Sequence, residues 1–258
     1  MTRSSDTDTK ETFSASISSK SFGNERSLPS PLTEANSDKD SSPVSVSDLQ
    51  QRAQELLESA GTWMADEPRL HLAETAKEWF FELTGRTNED DSTFERRMAV
   101  YLEFLLFVWT LPGAPSKHPW EIFVRESGFV FSPEDIEIAK ALDASHWSIF
   151  ELLEKHPQEV YLSDLLFGGQ WRVRPEGAML GVEEGDVFHA RLFGIDEYVF
   201  FTQAFLHHPS EARHLVKKII DQDILSGKSP LQTAGRLAHM HLKFDRYRRM
   251  NMRQIYTL

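Results

Sequence analysis

Apolar residues recur at helical spacing along most of the chain, but between residues 160 and 208 they shift to the period of two that marks β-strands. Residues 160–166 and 170–174 flank Phe167-Gly168-Gly169, and a Gly-Gly pair supplies the positive φ angles of a tight hairpin turn. In the second run Trp171 and Val173 alternate with Arg172 and Arg174. Glu183-Glu184-Gly185-Asp186 predicts another turn. Strands over 187–193 and 198–206 follow, separated by Gly194-Ile195-Asp196-Glu197. Four strands spaced about ten residues apart predict a small antiparallel sheet or partly open barrel. The last of them, YVFFTQAFL, is apolar on both faces and is expected at the sheet centre.

Helical patterns lie on either side. Ser47-Asp48 opens a helix over 49–64 whose apolar face is Leu49, Ala53, Leu56, Leu57 and Ala60. A second, over 71–84, places Leu72, Ala76, Trp79, Phe80 and Leu83 on one face and ends at Gly85. A third spans 93–110, and Pro119 opens a fourth. Ser132-Pro133-Glu134-Asp135 combines a capping serine, a first-turn proline and two acids, and predicts a fifth helix to about residue 143. Residues 145–155 read as a further helix or helical lead-in, with Trp147, Phe150 and Leu153 inward. After the β-stretch, a helix over 211–225 carries Leu215, Val216, Ile219 and Ile220, and a terminal helix is expected over 230–253. The expected fold class is α+β. It comprises a disordered Ser/Thr/Asp-rich arm (1–47), a helical domain (48–157), a small antiparallel β-domain (158–208) and C-terminal helices with a basic tail (209–258).

Composition narrows the picture. Of 258 residues, 40% are hydrophobic and 18 are phenylalanine, enough for a sizeable core, whereas the arm has too few large apolar residues to offset its ordering entropy. The absence of cysteine excludes disulfides, thiol catalysis and cysteine-ligated zinc, and fits a reducing compartment. No secretory signal and no membrane span are visible, so the expected location is the cytoplasm. Between Arg236 and Leu258 there are six basic residues and one acid, a net of +5 in a chain of net −12, so the remainder carries −17. Such an acidic body disfavours broad nucleic-acid binding.

Four segments together resemble a group of poorly characterised bacterial proteins related to SEC-C-motif proteins. They are the aromatic helix FERRMAVYLEFLLFVWTLPG, the following HPWEIFVRE, the SIFELLE–VYLSDLLFGGQWRV junction, and EEGDVFHARLFGIDEYVF ahead of a helix near Pro209. The resemblance covers about residues 93–220 and concerns layout. SEC-C proteins hold a metal through cysteine-rich ligands that this chain lacks. No catalytic residue is implied by it.

Candidate chemistry is sparse. His207, His208, His214, His239 and His241 cluster late in the chain, with Glu211 as a possible companion carboxylate for a metal. The His-x-His pair, however, points its rings roughly 200° apart on a helix, and no HExxH motif exists. Asp186 and Asp196 could form an acid–base pair, but Asp beside Gly in a turn serves backbone hydrogen bonding. Gly168-Gly169 lacks phosphate-loop spacing, and no GxSxG elbow occurs. Arg172, Arg174 and Arg191 beside Trp171 read either as a face for single-stranded nucleic acid or as solvent-facing arginines around a core tryptophan. The segment KFDRYRRMNMR is the least bland element, either a recognition helix or a terminal helix docked on the acidic body. Its Arg246, Tyr247, Arg248, Arg249 and Arg253 are the candidate partner-binding residues. The expectation is a non-enzymatic bacterial regulatory or adaptor protein with a protein partner and no cofactor or metal. The alternatives are an enzyme with a pocket between helical domain and sheet, and nucleic-acid binding through the basic tail.

Overall fold

The structure, a computed structural model, describes residues 46–175, 181–247 and 249–257. The predicted arm up to residue 45, the Glu176-Gly177 break and Arg248 lie outside the described residues.

Five helices come first: α1 (Val46–Ala65), α2 (Leu70–Thr84), α3 (Phe94–Phe107), α4 (Pro119–Glu126) and α5 (Pro133–Asp143). The start of α5 is the predicted one. The Ser132 hydroxyl accepts the Asp135 N–H, the Asp135 carboxylate accepts the Ser132 N–H, and Pro133 occupies the first turn. Asp135 also takes Arg52 of α1 on both oxygens, at 2.6 and 2.9 Å. That guanidinium holds the Asp135 carboxyl down at about 2. In α1, Ala53, Leu56, Leu57 and Ala60 are buried as their spacing predicts. In α2 the expected stripe is rotated: Trp79 is 54% exposed, while Phe81 is buried beside Phe80. The cause is that α2 is flanked by α7 (Pro230–Arg246) as well as by α1 and α3. A Cβ at Gly235 of α7 would lie 2.2 Å from Leu83, so only glycine permits this crossing.

The sheet begins earlier than predicted. Residues 145–155 do not form a helix; His146–Lys155 is strand β1. The run HWSIFELLEK contains good helix formers, and a short apolar run does not separate helix from strand by periodicity alone. Pairing on both edges decides for strand. β1 is hydrogen-bonded to β2 (Val160–Asp164) on one side and to β4 (Val187–Ile195) on the other. With β3 (Gln170–Val173) and β5 (Tyr198–Phe201) the order is β3-β2-β1-β4-β5, all neighbours antiparallel, and β6 (Leu206–His207) also pairs with β4. The β2–β3 hairpin turns at Gly168 and Gly169, with φ of 78° and 93°. The sheet curls into a half-barrel, and the Arg174 N–H donates to the Val199 carbonyl at 2.8 Å, bringing β3 towards β5. YVFFTQAFL is thus not one central strand. It breaks after Phe201, and the centrally placed strand buried on both faces is β4.

After a 3-10 turn (Ser210–Ala212) come α6 (Arg213–Leu225), α7 and a one-turn α8 (Met252–Ile255). α7 starts with a second capping box, Ser229 and Gln232, ahead of Pro230. It ends at Arg246 rather than continuing to residue 253, because the chain turns back to bury Ile255 and Tyr256 against it. Three apolar clusters result. Trp120, Phe123, Phe80 and Leu106 centre the helical part. Phe150, Leu162, Phe188 and Phe201 fill the half-barrel. Ile149, Val216, Leu237 and Tyr256 join sheet to C-terminal helices. Strand β4 contributes to all three, through Phe193, Phe188 and Val187 respectively. No described helix is long and apolar enough to cross a membrane.

Candidate functional site

The C-terminal basic segment is partly consumed by the fold. Arg246 forms a two-pronged ion pair with Asp91, at 2.9 and 2.6 Å, and donates to the Arg86 carbonyl at 2.7 Å. It ties the end of α7 to the loop before α3, and its guanidinium holds the Asp91 carboxyl well below the usual carboxylate range. Tyr247 is 55% exposed. Arg249 and Arg253 are exposed and form no ion pair among the described residues. Between these walls lies an open cleft of about 600 Å³. Asp90, Asp91 and Ser92 line one side; Asp245, Arg246, Tyr247, Arg249 and Met250 line the other.

Behind Asp245 is a buried histidine cluster. His189 Nε2 and His208 Nε2 lie 3.0 Å apart, and His208 Nδ1 lies 3.0 Å from the Tyr256 hydroxyl. The His241 ring sits 5.9 Å from that of His208. His241 Nδ1 and Asp245 Oδ2 are 3.5 Å apart, outside good hydrogen-bond geometry, and neither atom makes a hydrogen bond. Thr93 Oγ1 and Arg97 Nε, at the start of α3, are likewise buried without partners. Desolvation pushes His189 down to about 3 and His207 to about 4, and also lowers His208 well below the usual imidazole range, so these rings are neutral at pH 7.

Of the five histidines picked out in the sequence, the structure brings His207, His208 and His241 together. His214 stays exposed on α6, and His239 packs against Gly85. Glu211 is exposed. Among the described residues no three His, Asp or Glu side chains converge in a metal-holding geometry. His189 is the member that sequence reasoning missed. Its signal was the alternation in VFHARLF. Phe188, Ala190 and Leu192 face the half-barrel, and the intervening His189 and Arg191 face helices rather than water.

The same reversal corrects the arginine reading. Arg191 is buried, with Nε 3.1 Å from Glu103 of α3, Nη1 3.0 Å from the Ser145 hydroxyl, and its guanidinium over Phe107. Burial pushes Glu103 up and Arg191 down, and their mutual attraction opposes both shifts. Arg172 is exposed, 3.7 Å from Glu159, and Arg174 lies over Tyr198. The three arginines therefore form no common exposed surface, since Arg191 is buried under α3 while Arg172 is exposed. Trp171 is only half-buried, stacked on His146 at 5.1 Å.

His146 is itself half-buried. Its Nε2 is 2.6 Å from Asp164, whose other oxygen accepts the Ser148 hydroxyl and the Leu166 and Phe167 N–H groups. Ser148 is buried and addresses the carboxylate rather than the imidazole, so no nucleophile–base relay is formed. Asp186 and Asp196 flank opposite ends of β4, about 30 Å apart at strand rise. Asp186 accepts the Ser210 hydroxyl and the Glu183 N–H, and Asp196 holds a turn at φ 53°. Besides the cleft, a hollow of about 380 Å³ at Trp63, Phe123 and Phe129 lies within the helical part, and neither adjoins the sheet. Comparison with family models, curated proteins and solved structures gave no match.

Proposed function

We propose that the chain is a non-enzymatic regulatory or adaptor protein of the bacterial cytoplasm, acting through protein–protein contacts made at the C-terminal cleft. The observation that carries this is the cleft itself, where exposed Tyr247 and Met250 stand beside an unpaired Arg249 on an open, polar-walled surface. Tyrosine, methionine and arginine are the residue types enriched where partners dock. Arg246 takes part by holding the two walls together. Its engagement with Asp91, and the acidic wall of Asp90 and Asp91 across the cleft, speak against nucleic acid as the partner. On this reading the resemblance to SEC-C-related proteins extends to layout alone.

The test is affinity co-purification from the native cells, comparing wild type with Tyr247→Ala/Arg249→Glu. Truncation at Gly235 is unsuitable, since it removes buried Leu237, Met240, Leu242, Ile255 and Tyr256. A partner held by wild type and lost by the variant supports the cleft. A partner held equally by both moves the contact elsewhere, and no partner with wild type ends the interaction reading.

A further inference from the structure

The chain's last turn is closed over the histidine cluster. Ile255 and Tyr256 are 4% and 1% exposed, and Arg236 donates to the Thr257 carbonyl at 2.7 Å. The Tyr256 hydroxyl meets His208 Nδ1, and His208 Nε2 meets His189 Nε2, both at 3.0 Å. A neutral imidazole has one donor nitrogen and one acceptor nitrogen, so this three-member chain is satisfied only when its protons are ordered in one sense. Between the two Nε2 atoms there is room for one hydrogen. If both rings take up a second proton, two N–H groups face each other across 3.0 Å, and the contact turns from attraction to repulsion.

We propose that α8 and Tyr256 form a proton-operated clasp, which opens when the His189–His208 pair is protonated while the rest of the fold stays closed. Every element packed on the pair bears on it. From α3, Arg97 faces His189, and Arg96 and Arg97 face His241; both cations oppose an added proton. From β6 comes His207, itself facing Arg96 and Asp186. From α7 come His241 and Asp245, the latter favouring a proton on His241. From the C-terminus comes Tyr256. Among these only Asp245 and Asp186 draw protons in. The pair is therefore kept neutral while closed and regains ordinary basicity once water reaches it. The smallest unit whose release admits water to His208 is the one-turn α8 with Tyr256. Arg249 and Met250 precede α8 in the same segment, so release would also remodel the cleft wall. The clasp does not depend on the docking reading, because none of His189, His208 and Tyr256 lines the cleft.

Hydrogen exchange of the full chain at pH 7.5 and 5.5, corrected for intrinsic rate, tests this. Opening of the segment 249–257 is expected to rise about tenfold per pH unit below about 6.5 for each histidine that titrates, with α3 and β1 still protected. His208→Gln and His189→Gln should flatten that dependence, and Tyr256→Phe should raise opening already at pH 7.5. The idea fails if α3 and β1 open together with the segment, if the segment does not respond, or if both glutamine variants keep the wild-type pH dependence. The wild-type profile decides even where a glutamine variant does not fold.

Discussion

The helical core and the layer between β4 and the helices are equally dry but are held in different ways. Around Trp120 and Phe123 the packing is apolar and rich in aromatic rings, with Phe107, Phe129 and Phe131 within 6 Å of these two. On the outward face of β4 the same degree of burial is filled by His189 and Arg191, which lean on Glu103, His208 and Tyr256. The aromatic region is stabilised by non-directional burial, roughly 25 cal/mol per Å². The polar layer adds little net stability but becomes costly once a partner is missing.

That contrast is sharpest at the buried ion pair. Arg191→Met alone leaves Glu103 uncompensated and should lower stability by about 3–5 kcal/mol, whereas Arg191→Met with Glu103→Leu should recover most of it. Equal losses in the single and double variants, read from denaturant midpoints, would show that the charges do not act as a pair. Acid should separate the regions next. His189 is held at about 3 by burial, against about 6.5 in an unfolded chain, so the unfolded state takes the proton first. Its contribution is complete above pH 6.5 and declines towards pH 3 by up to about 1.4 kcal/mol per unit, about 2 kcal/mol at pH 5, levelling once the clasp has opened. Urea midpoints at pH 7.5 and 5 measure this, and His189→Asn should blunt the difference. In the aromatic core Phe123→Leu keeps most of the volume and should cost under about 1.5 kcal/mol, with no dependence on pH. Smaller again is Ser132→Ala, which removes the α5 cap and should cost about 1 kcal/mol in a thermal or denaturant melt.

Local chemistry was readable from the chain where a few neighbouring residues decide the outcome. Ser132-Pro133 starts a helix, Gly168-Gly169 turns a hairpin, and Leu56, Leu57 and Ala60 mark the buried stripe of α1. The α+β class followed from the change in period. What could not be read depends on distant cover. HWSIFELLEK becomes a strand because β2 and β4 pair with it on both edges. Trp79 faces outward because α7 claims part of α2. The polar layer was hidden for the same reason. Alternation in β4 separates two faces, but it does not say that the second is roofed by helices, so Arg191 read as a surface residue and His189 went unnoticed. The C-terminal cleft was legible only as a basic segment, since Asp90 and Asp91 come from more than 150 positions away in sequence.

Strand β4 also governs how the molecule can come apart. Its residues are embedded in each of the three apolar clusters, so removing it deprives every one of a wall at the same time. Such a chain has no natural place to melt by halves. Scanning calorimetry at neutral pH should record a single peak whose van't Hoff and calorimetric enthalpies agree. Fragments ending before residue 187 should remain unstructured even though they hold five complete helices.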